Sequence, residues 1–234
     1  MSKRIMLKLS GEALGNGGWL FDHEMVNKVA DVLCRVSREG FELAVVIGGG
    51  NIWRGRKGAA SGMDAVTADQ MGMLSTVLNC LCMKDAVVRK GAKARVMSAL
   101  EMPRICDTFR ADLARKALSS GEIVFFAGGL GSPFFTTDTA VVLRSAEIEA
   151  DMLLLAKSID GVYTADPNTD SSAVLIRDIT YREAFQRGLK VMDMSAFAMC
   201  ADQKLPMVRV FGLSDPENIL KVLHGDDMGT VLHP

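Results

Sequence analysis

From Leu43 to Ile47 the chain is apolar without interruption, and it then stops at three successive glycines, Gly48, Gly49 and Gly50. A short run rich in β-branched residues and bounded by glycine suits a strand buried on both faces of a parallel sheet. Glycines have no Cβ, so another molecule can approach the main chain closely at the strand's end. On open α/β sheets ligands sit beyond the carboxyl ends of the strands, and here Asn51 and Arg54 follow at once. Arg54 offers a planar fork of donors suited to phosphate or carboxylate. The stretch reads as a pocket for an anionic ligand; the plainer alternative is a glycine-rich turn carrying a surface arginine.

The same grammar recurs along the chain. Ile5 to Leu9 reads as a buried strand interrupted by Lys8 and running into Ser10-Gly11-Glu12. A lysine inside an apolar strand needs a partner. Its ammonium either reaches phosphate oxygens at the strand's end or points to water from a sheet edge. The GxxxxGK[ST] order of a Walker A loop is absent. After the glycine-rich loop Ala13 to Phe21, apolar residues recur at helical spacing from Val26 to Val36, between a capping Asp22 and Gly40. With the Val45 strand this makes a right-handed βαβ unit.

Arg54 to Gly62 reads as a mobile basic loop, and Asp64 to Arg89 as a long helix apolar nearly all round. Such a helix is buried on several sides, either by the sheet and a second subunit or by one large domain. Asp69, near its start, is a capping-region carboxylate or an acceptor for sugar hydroxyls. Ala94 to Met97 and Ile123 to Ala127 read as strands, with a helix at Phe109 to Leu118 between them. The second strand ends in Gly128 to Asp138, where glycines lead to Thr136, Thr137 and Asp138 at a helix start. Helix N-termini present free N–H groups and a favourable dipole to anions. Phe134 and Phe135 flank a planar base there or lie in the core.

The expected order then runs helix Thr139 to Ala150, strand Met152 to Leu155, and the turns Asp160-Gly161 and Asp166-Pro167 with Tyr163 between them. A strand at Leu175 to Ile179 and a helix at Tyr181 to Arg187 come next. Val191 to Asp193 precede a helix ending near Gln203, and Met207 to Phe211, Pro216 to Leu223 and Thr230 to Leu232 give strand, helix, strand. No repeat, linker or low-complexity segment interrupts the chain. The expectation is one domain over residues 1–234 with two lobes.

Bulk properties exclude several classes. At 234 residues and a net charge of -1, the chain does not bind nucleic acid through bulk charge. No unbroken apolar run approaches the roughly 18 residues of a membrane span, and no signal-peptide core precedes the first strand. A cytoplasmic protein is expected. The five cysteines show no CxxC spacing, and the histidines are only His23, His224 and His233. A disulfide framework, a zinc site and a histidine-centred triad therefore have little material.

Lys8 to Gly11, Gly48 to Gly50 and Gly128 to Gly131 are three anion-suited strand ends, which suggests two phosphorylated ligands or one long one. With no spare histidine base and no obvious nucleophile, phosphoryl transfer fits, because it needs mainly positioning and charge neutralisation. Backbone amides, Lys8, Arg54 and Mg²⁺ would supply the electrostatic part.

The ordered motifs KLSGE (8–12), VIGGGN followed by RG (46–55), DQMGML (69–74), SPFFTTD (132–138), EIEAD (147–151), DGVYTADP (160–167) and VMD (191–193) cover nearly the whole chain. Together they resemble the amino-acid-kinase superfold and, within it, the bacterial uridylate kinase family. The resemblance implies a three-layer αβα sandwich around a mostly parallel, eight-stranded sheet, with an N-terminal acceptor lobe and a C-terminal ATP lobe. It implies transfer of the ATP γ-phosphoryl group to UMP with Mg²⁺ held mainly by the nucleotide phosphates, in pyrimidine nucleotide biosynthesis, by a homohexamer of dimers. Lys8, Arg54, Asp138 and Asp193 would then be catalytic, with the two aspartates organising the phosphate and metal region. Lys8, Leu9, Ser10, Gly11, Gly50, Arg54, Tyr163 and Asp166 would hold ATP. Gly49, Asp69, Gly131, Ser132, Pro133, Phe134, Phe135, Thr136 and Thr137 would hold UMP.

Leu130 and Ser132 depart from the Thr and Asn common beside uracil, and Lys157-Ser158 replaces a common Thr-Lys pair, so no ATP role is carried onto either of the latter. Lys84 stands where some members have an arginine linked to GTP activation, with Arg95 a basic residue nearby; GTP and UTP are candidate effectors. The competing readings are a carboxylate or carbamate kinase of the same superfold, and a nucleotide-binding storage or regulatory protein without turnover. Lys8, Arg54 and Asp69 argue against the last; the altered uracil loop keeps it alive.

Overall fold

The computed structural model describes residues 3–15, 20–54, 62–189 and 191–234. Most of the expected basic loop after Arg54, and Gly17 and Gly18 of the earlier glycine-rich loop, lie outside the described residues.

The architecture follows from how β1 (Arg4–Leu9) divides its side chains. Ile5, Leu7 and Leu9 join one hydrophobic layer, and Met6 joins the other. Lys8 has the parity of Met6 and shares its face. β1 pairs in parallel with β2 (Glu42–Ile47) on one side and with β6 (Met152–Lys157) on the other. Outward from β2 lie β5 (Ile123–Ala127), β3 (Ala94–Ser98) and the two-residue β4 (Asp107–Thr108). Outward from β6 lie β10 (Val208–Gly212), β11 (Thr230–His233) and β9 (Asp178–Thr180). Of these neighbours only β10 and β11 are antiparallel. Nine strands are thus joined among the described residues, where the resemblance implied eight; β4 and β9 are the shortest.

Helices α1 (His23–Arg38), α2 (Ala65–Arg89) and α7 (Asn218–Leu223) cover one face. Helices α3 (Ala111–Ser119), α4 (Thr137–Glu147), α5 (Tyr181–Gln186) and α6 (Met194–Asp202) cover the other. The three-layer αβα sandwich is as expected. Asp22 caps α1 by accepting from the Glu24 and Met25 N–H groups, and Asp64 caps α2 through Thr67 N.

Three details differ from the sequence expectation. Helix α4 starts at Thr137 rather than Thr139, because Thr136 Oγ1 accepts from Asp138 N at 3.0 Å and closes the first turn there. The strand expected over Leu175 to Ile179 divides: β8 (Leu175–Ile176) pairs with β7 (Val162–Tyr163) as a separate ribbon, and β9 joins the main sheet. Finally, α2 is long and apolar enough by length and composition to cross a membrane, although its sequence holds no unbroken apolar run of that length. Half of its apolar window is buried, and it packs on α1, β3 and β5 as the central helix of one layer. Leu74 and Leu78 on its outer side are 49% and 50% exposed, so part of the expected all-round burial is absent within this chain.

Candidate active site

Three cavities meet at the carboxyl edge of the sheet, where β1, β2, β5 and β6 end. The largest, about 720 Å³, lies between the ends of β1 and β2, the start of α2 and the loop from Gly129 to Thr137. Its floor is main chain. A Cβ on Gly49 would sit 2.8 Å from Ser75 Cβ and 2.9 Å from the Gly72 carbonyl, so the loop touches α2 at a distance only glycine permits. Gly11 is as tightly placed, its notional Cβ 2.2 Å from the Gly48 carbonyl. Fully buried Asn79 fixes this arrangement by donating to the Gly48 carbonyl at 2.7 Å and to Asn51 Oδ1 at 2.8 Å. Thr76 Oγ1 accepts from Gly128 N at 2.8 Å, tying α2 to the second glycine cluster.

Asp69 faces this cleft from α2, and one of its oxygens accepts from Phe134 N at 2.7 Å. That bond holds Phe134 at φ +71, a left-handed conformation costly for a bulky residue. Phe134 and Phe135 are 73% and 51% exposed, which removes the core alternative: both rings stand at the cleft wall. Ser132, Thr136 and Thr137 line the same wall; Gly131 turns the loop at φ +77, and neither it nor Pro133 lines the cleft. Ser10, Gly50 and Arg54 also line the cleft. Arg54 forms an ion pair with Glu12, both about half exposed at the cleft mouth. Leu9 differs from expectation. Its side chain is fully buried in the core and its carbonyl accepts from Gly48 N at 3.0 Å, so it joins strand ends rather than presenting a group to a ligand.

At the inner end of the cleft lies a chain of charges. Lys8 Nζ stands 2.9 Å from Asp138 Oδ1, and Lys157 Nζ 3.7 Å from Asp138 Oδ2. Asp138 Oδ1 is buried and accepts no well-angled hydrogen bond, so its compensation is the Lys8 charge itself. Lys157 also donates to the Val191 carbonyl. Burial holds the Lys157 pKa below the usual lysine value; Asp138 opposes this and the Lys8 charge reinforces it. Asp193 caps α6 through Ala196 N at 2.8 Å, and its other oxygen accepts from Thr136 Oγ1 and, at 2.8 Å, from Thr139 Oγ1. Burial alone would raise its pKa, but these hydrogen bonds outweigh it and hold the carboxyl below its ordinary range.

A second cleft, about 330 Å³, opens beside the β7–β8 ribbon and is lined by Tyr163, Asp166, Leu189 and Lys157. Tyr163 OH donates to Asp160 Oδ1 at 2.7 Å, and Asp166 Oδ1 accepts from Asn168 N at 2.9 Å in a turn of its own. Neither residue lines the cleft of Asp69 and Phe134. A third cavity, about 570 Å³, shares Lys157 and Leu189 with the second cleft and Thr136 with the first, and adds Asp138 and Asp193. Of the residues expected on ATP, only Tyr163 and Asp166 line the second cleft; Lys8, Ser10, Gly11, Gly50 and Arg54 line the larger cleft together with the residues expected on UMP, and the third cavity joins the two. Two anionic ligands placed end to end there would meet fixed cations where their negative charge is densest. No group of three or more acidic, cysteine or histidine side chains able to hold a metal occurs among the described residues.

The profile of the amino acid kinase family matches residues 3–210. A uridylate kinase of Xanthomonas campestris pv. campestris is 49% identical over 231 residues, covering 98% of this chain and 96% of the relative. This chain belongs to the uridylate kinases of the amino acid kinase family. Solved structures agree. A UMP kinase from Bacillus anthracis superposes with a TM-score of 0.94 at 34% identity, covering 99% of this chain and 96% of that one. Another, from Ureaplasma parvum, gives 0.94 at 32% identity over the full length of both chains.

Sequence reasoning missed Lys157, Thr76 and Asn79. Lys157 carried a readable signal: MLLLAK ends an apolar strand in lysine, much as IMLKLS carries Lys8 near the end of β1. Thr76 and Asn79 carried none, since a polar residue on a long helix declares its partner only once the loops beside it are placed.

Proposed function

We propose that this chain catalyses reversible transfer of the γ-phosphoryl group of ATP to UMP, giving UDP and ADP. The observation that carries the reading is the Lys8–Asp138–Lys157 junction between two separate clefts, in a chain of the uridylate kinase family. UMP occupies the larger cleft. Asp69 receives its ribose hydroxyls, Phe134 and Phe135 border the base, and Thr136 and Thr137 at the start of α4 receive its phosphate. Ser132, Gly49 and the loop shaped by Gly131 and Pro133 complete the wall. ATP lies across the second cleft, with Tyr163 and Asp166 beside its nucleoside end and its phosphates running toward Ser10, Gly11 and Gly50.

An oxygen of the UMP phosphate attacks the γ-phosphorus, a new P–O bond forms, and the bond from that phosphorus to the bridging oxygen of ADP breaks. Lys8 neutralises charge on the transferred group, and Asp138 holds the lysine in place. Asp193, tied to Thr136 and Thr139, fixes the start of α4. Arg54 exchanges Glu12 for phosphate when ligands enter. Mg²⁺, held mainly by the nucleotide phosphates with Asp138 and Asp193 organising the region around it, would lower the negative charge on those phosphates.

The two clefts define an acceptor lobe and a donor lobe within one domain. The exposed Leu74 and Leu78 of α2 support subunit contact, and we read the assembly as a cytoplasmic homohexamer of dimers in pyrimidine nucleotide biosynthesis, with GTP and UTP as candidate effectors. The test is ADP release from Mg-ATP with UMP, CMP, dUMP, GMP, acetylglutamate, aspartate and carbamate. Turnover with UMP above the others is expected. Turnover with a carboxylate or carbamate instead, or ATP binding without turnover on any acceptor, would overturn the reading.

A further inference from the structure

We propose that Asn79 is a positioning residue for phosphoryl transfer: it holds the peptide between Gly48 and Gly49 in the one orientation that offers the Gly49 N–H to phosphate in the larger cleft. The inference rests on the reading of the site as a phosphoryl-transfer centre and gives a role to a helix residue that no sequence motif singles out.

Three successive peptides leave the end of β2, and they are held in different ways. The first donates from Gly48 N to the Leu9 carbonyl at 3.0 Å, across to the end of β1. In the third, the Gly49 carbonyl accepts from Ile52 N at 3.0 Å and from Trp53 N at 2.9 Å. Between them, the Gly48 carbonyl is held among the described residues by a side chain alone, accepting from Asn79 Nδ2 at 2.7 Å. This peptide is trans, so its N–H points opposite to its carbonyl. With the carbonyl directed at Asn79, the Gly49 N–H is directed away from it, on a residue that lines the cleft. No acceptor among the described residues meets that N–H. A side chain is needed here because glycine stands on both sides of the peptide, and without Cβ atoms little resists its turning over. The turned form would present a carbonyl oxygen to incoming phosphate, a repulsion in place of a hydrogen bond.

The surroundings are shaped for the inward carbonyl. Gly11 leaves room for it: a Cβ there would lie 2.2 Å from the Gly48 oxygen and 2.9 Å from Asn79 Nδ2. Asn79 is fully buried, and its amide is itself fixed. Its Nδ2 also donates to Asn51 Oδ1 at 2.8 Å, and its Oδ1 accepts from Asn51 Nδ2 at 3.1 Å. Asn51 Nδ2 donates in addition to the Leu20 carbonyl at 3.0 Å. Every amide hydrogen of the pair therefore has an acceptor, and neither amide can turn without losing bonds in a buried place. The same helix presents Asp69 to the cleft, so one rigid element sets both this peptide and the carboxylate expected on the acceptor. The competing role is purely structural: the amide pair would join α2 to two loops and have no bearing on the reaction.

Asn79→Asp separates the two roles. It keeps the shape, but an ionised carboxylate only accepts: it repels the Gly48 carbonyl and attracts the Gly49 N–H, which turns the peptide. Once protonated, the carboxyl donates to the carbonyl again. At alkaline pH steady-state kinetics are expected to show kcat lowered about 10²-fold, the scale of one lost donor in a transition state, with KM for UMP changed far less. As pH falls, the ratio of the variant's kcat to the parent's is expected to rise. Gly11, Gly48 and Asn51, which surround the amide, do not titrate, and the ionisable groups of the cleft are common to both proteins. A parent-like kcat at every pH, a loss confined to KM, or a ratio independent of pH would overturn the proposal. If the aspartate variant does not fold, Asn79→Leu answers the question by removing the donor without adding charge. Its kcat is expected to fall about tenfold, the scale of one hydrogen bond, and a parent-like kcat would overturn the proposal. A crystal structure of Asn79→Asp at alkaline pH needs no substrate: the Gly49 N–H is expected to face the carboxylate, and a Gly48 carbonyl still facing it would overturn the proposal. A turned peptide in Asn79→Asp, with a parent protein that does not turn over UMP, would sustain Asn79 as the residue that sets this peptide while rejecting the UMP reading.

Discussion

The two sides of the sheet, taken outward from the β1–β6 seam, build their clefts by different means. On the β2 side the strands next to the cleft have five or six residues, and the cleft floor is main chain pressed against helix α2. On the β6 side the sheet takes in an antiparallel strand and a three-residue edge strand, and the cleft is framed by a ribbon of two-residue strands and by side-chain turns at Asp160 and Asp166. The first construction sets geometry through atoms that cannot move. The second sets it through side chains that can. A rigid floor suits the ligand whose phosphate must attack in line.

The seam itself should give the largest effect. Lys8→Ala is expected to lower kcat by about 10²–10³-fold while changing KM for UMP far less, because its contact strengthens in the transition state. Steady-state kinetics over a range of UMP would show this; a raised KM with unchanged kcat would make Lys8 a ground-state contact only. Next comes the rigidity of the floor. Gly49→Ala forces a methyl group against Ser75 Cβ and the Gly72 carbonyl, an overpacking of about 1–3 kcal/mol. Gly161→Ala, on the β6 side, meets first the Leu175 Cδ1 atom, the far end of a side chain, at 2.5 Å. Urea unfolding should rank Gly49→Ala as the more destabilised, and the reverse order would undo the contrast between the two sides.

A smaller, selective effect is expected at the acceptor wall. Asp69→Asn should raise KM for UMP about tenfold, the scale of one charged hydrogen bond, and leave ATP affinity nearly unchanged in direct titrations. Loss confined to ATP would exchange the two clefts. The smallest effect lies at the far edge of the β6 side, where His233 Nε2 meets Asp178 Oδ1 at 2.9 Å across β11 and β9. The Asp178 hydrogen bond, followed by the Pro234 carbonyl, raises the His233 pKa above 6.5. Its stabilisation is therefore complete below pH 6.5 and disappears as pH rises through the raised value. Urea midpoints of the parent protein should decline slightly over that interval relative to His233→Gln; parallel midpoints would leave the pair without a role in joining the two strands.

What could be read from the residues alone follows the same division. The β2 side was legible because its information is local. An unbroken apolar run gives the strand, the glycines that end it mark the close approach, and Asp22 announces α1. The β6 side was less legible because its arrangement depends on distant partners. Leu175 to Ile179 has the composition of one strand, yet β7 claims its first part and β11 its last. The positive φ of Phe134 is held by a carboxylate 65 residues earlier. Lys157 gains its meaning from Asp138 and Val191, which sequence separation conceals. Motif resemblance supplied the partition of site residues between two ligands, and it passed over Lys157 because that residue interrupts the familiar pattern.

The central claim, that donor and acceptor occupy different clefts and meet at Lys8, Asp138 and Lys157, is most directly tested by a crystal structure with UMP and a non-hydrolysable ATP analogue bound together. The account predicts UMP between Asp69 and Thr137, the analogue beside Tyr163 and Asp166, and its terminal phosphate between the two lysines. Nucleotides in exchanged clefts, or a terminal phosphate distant from both lysines, would contradict it.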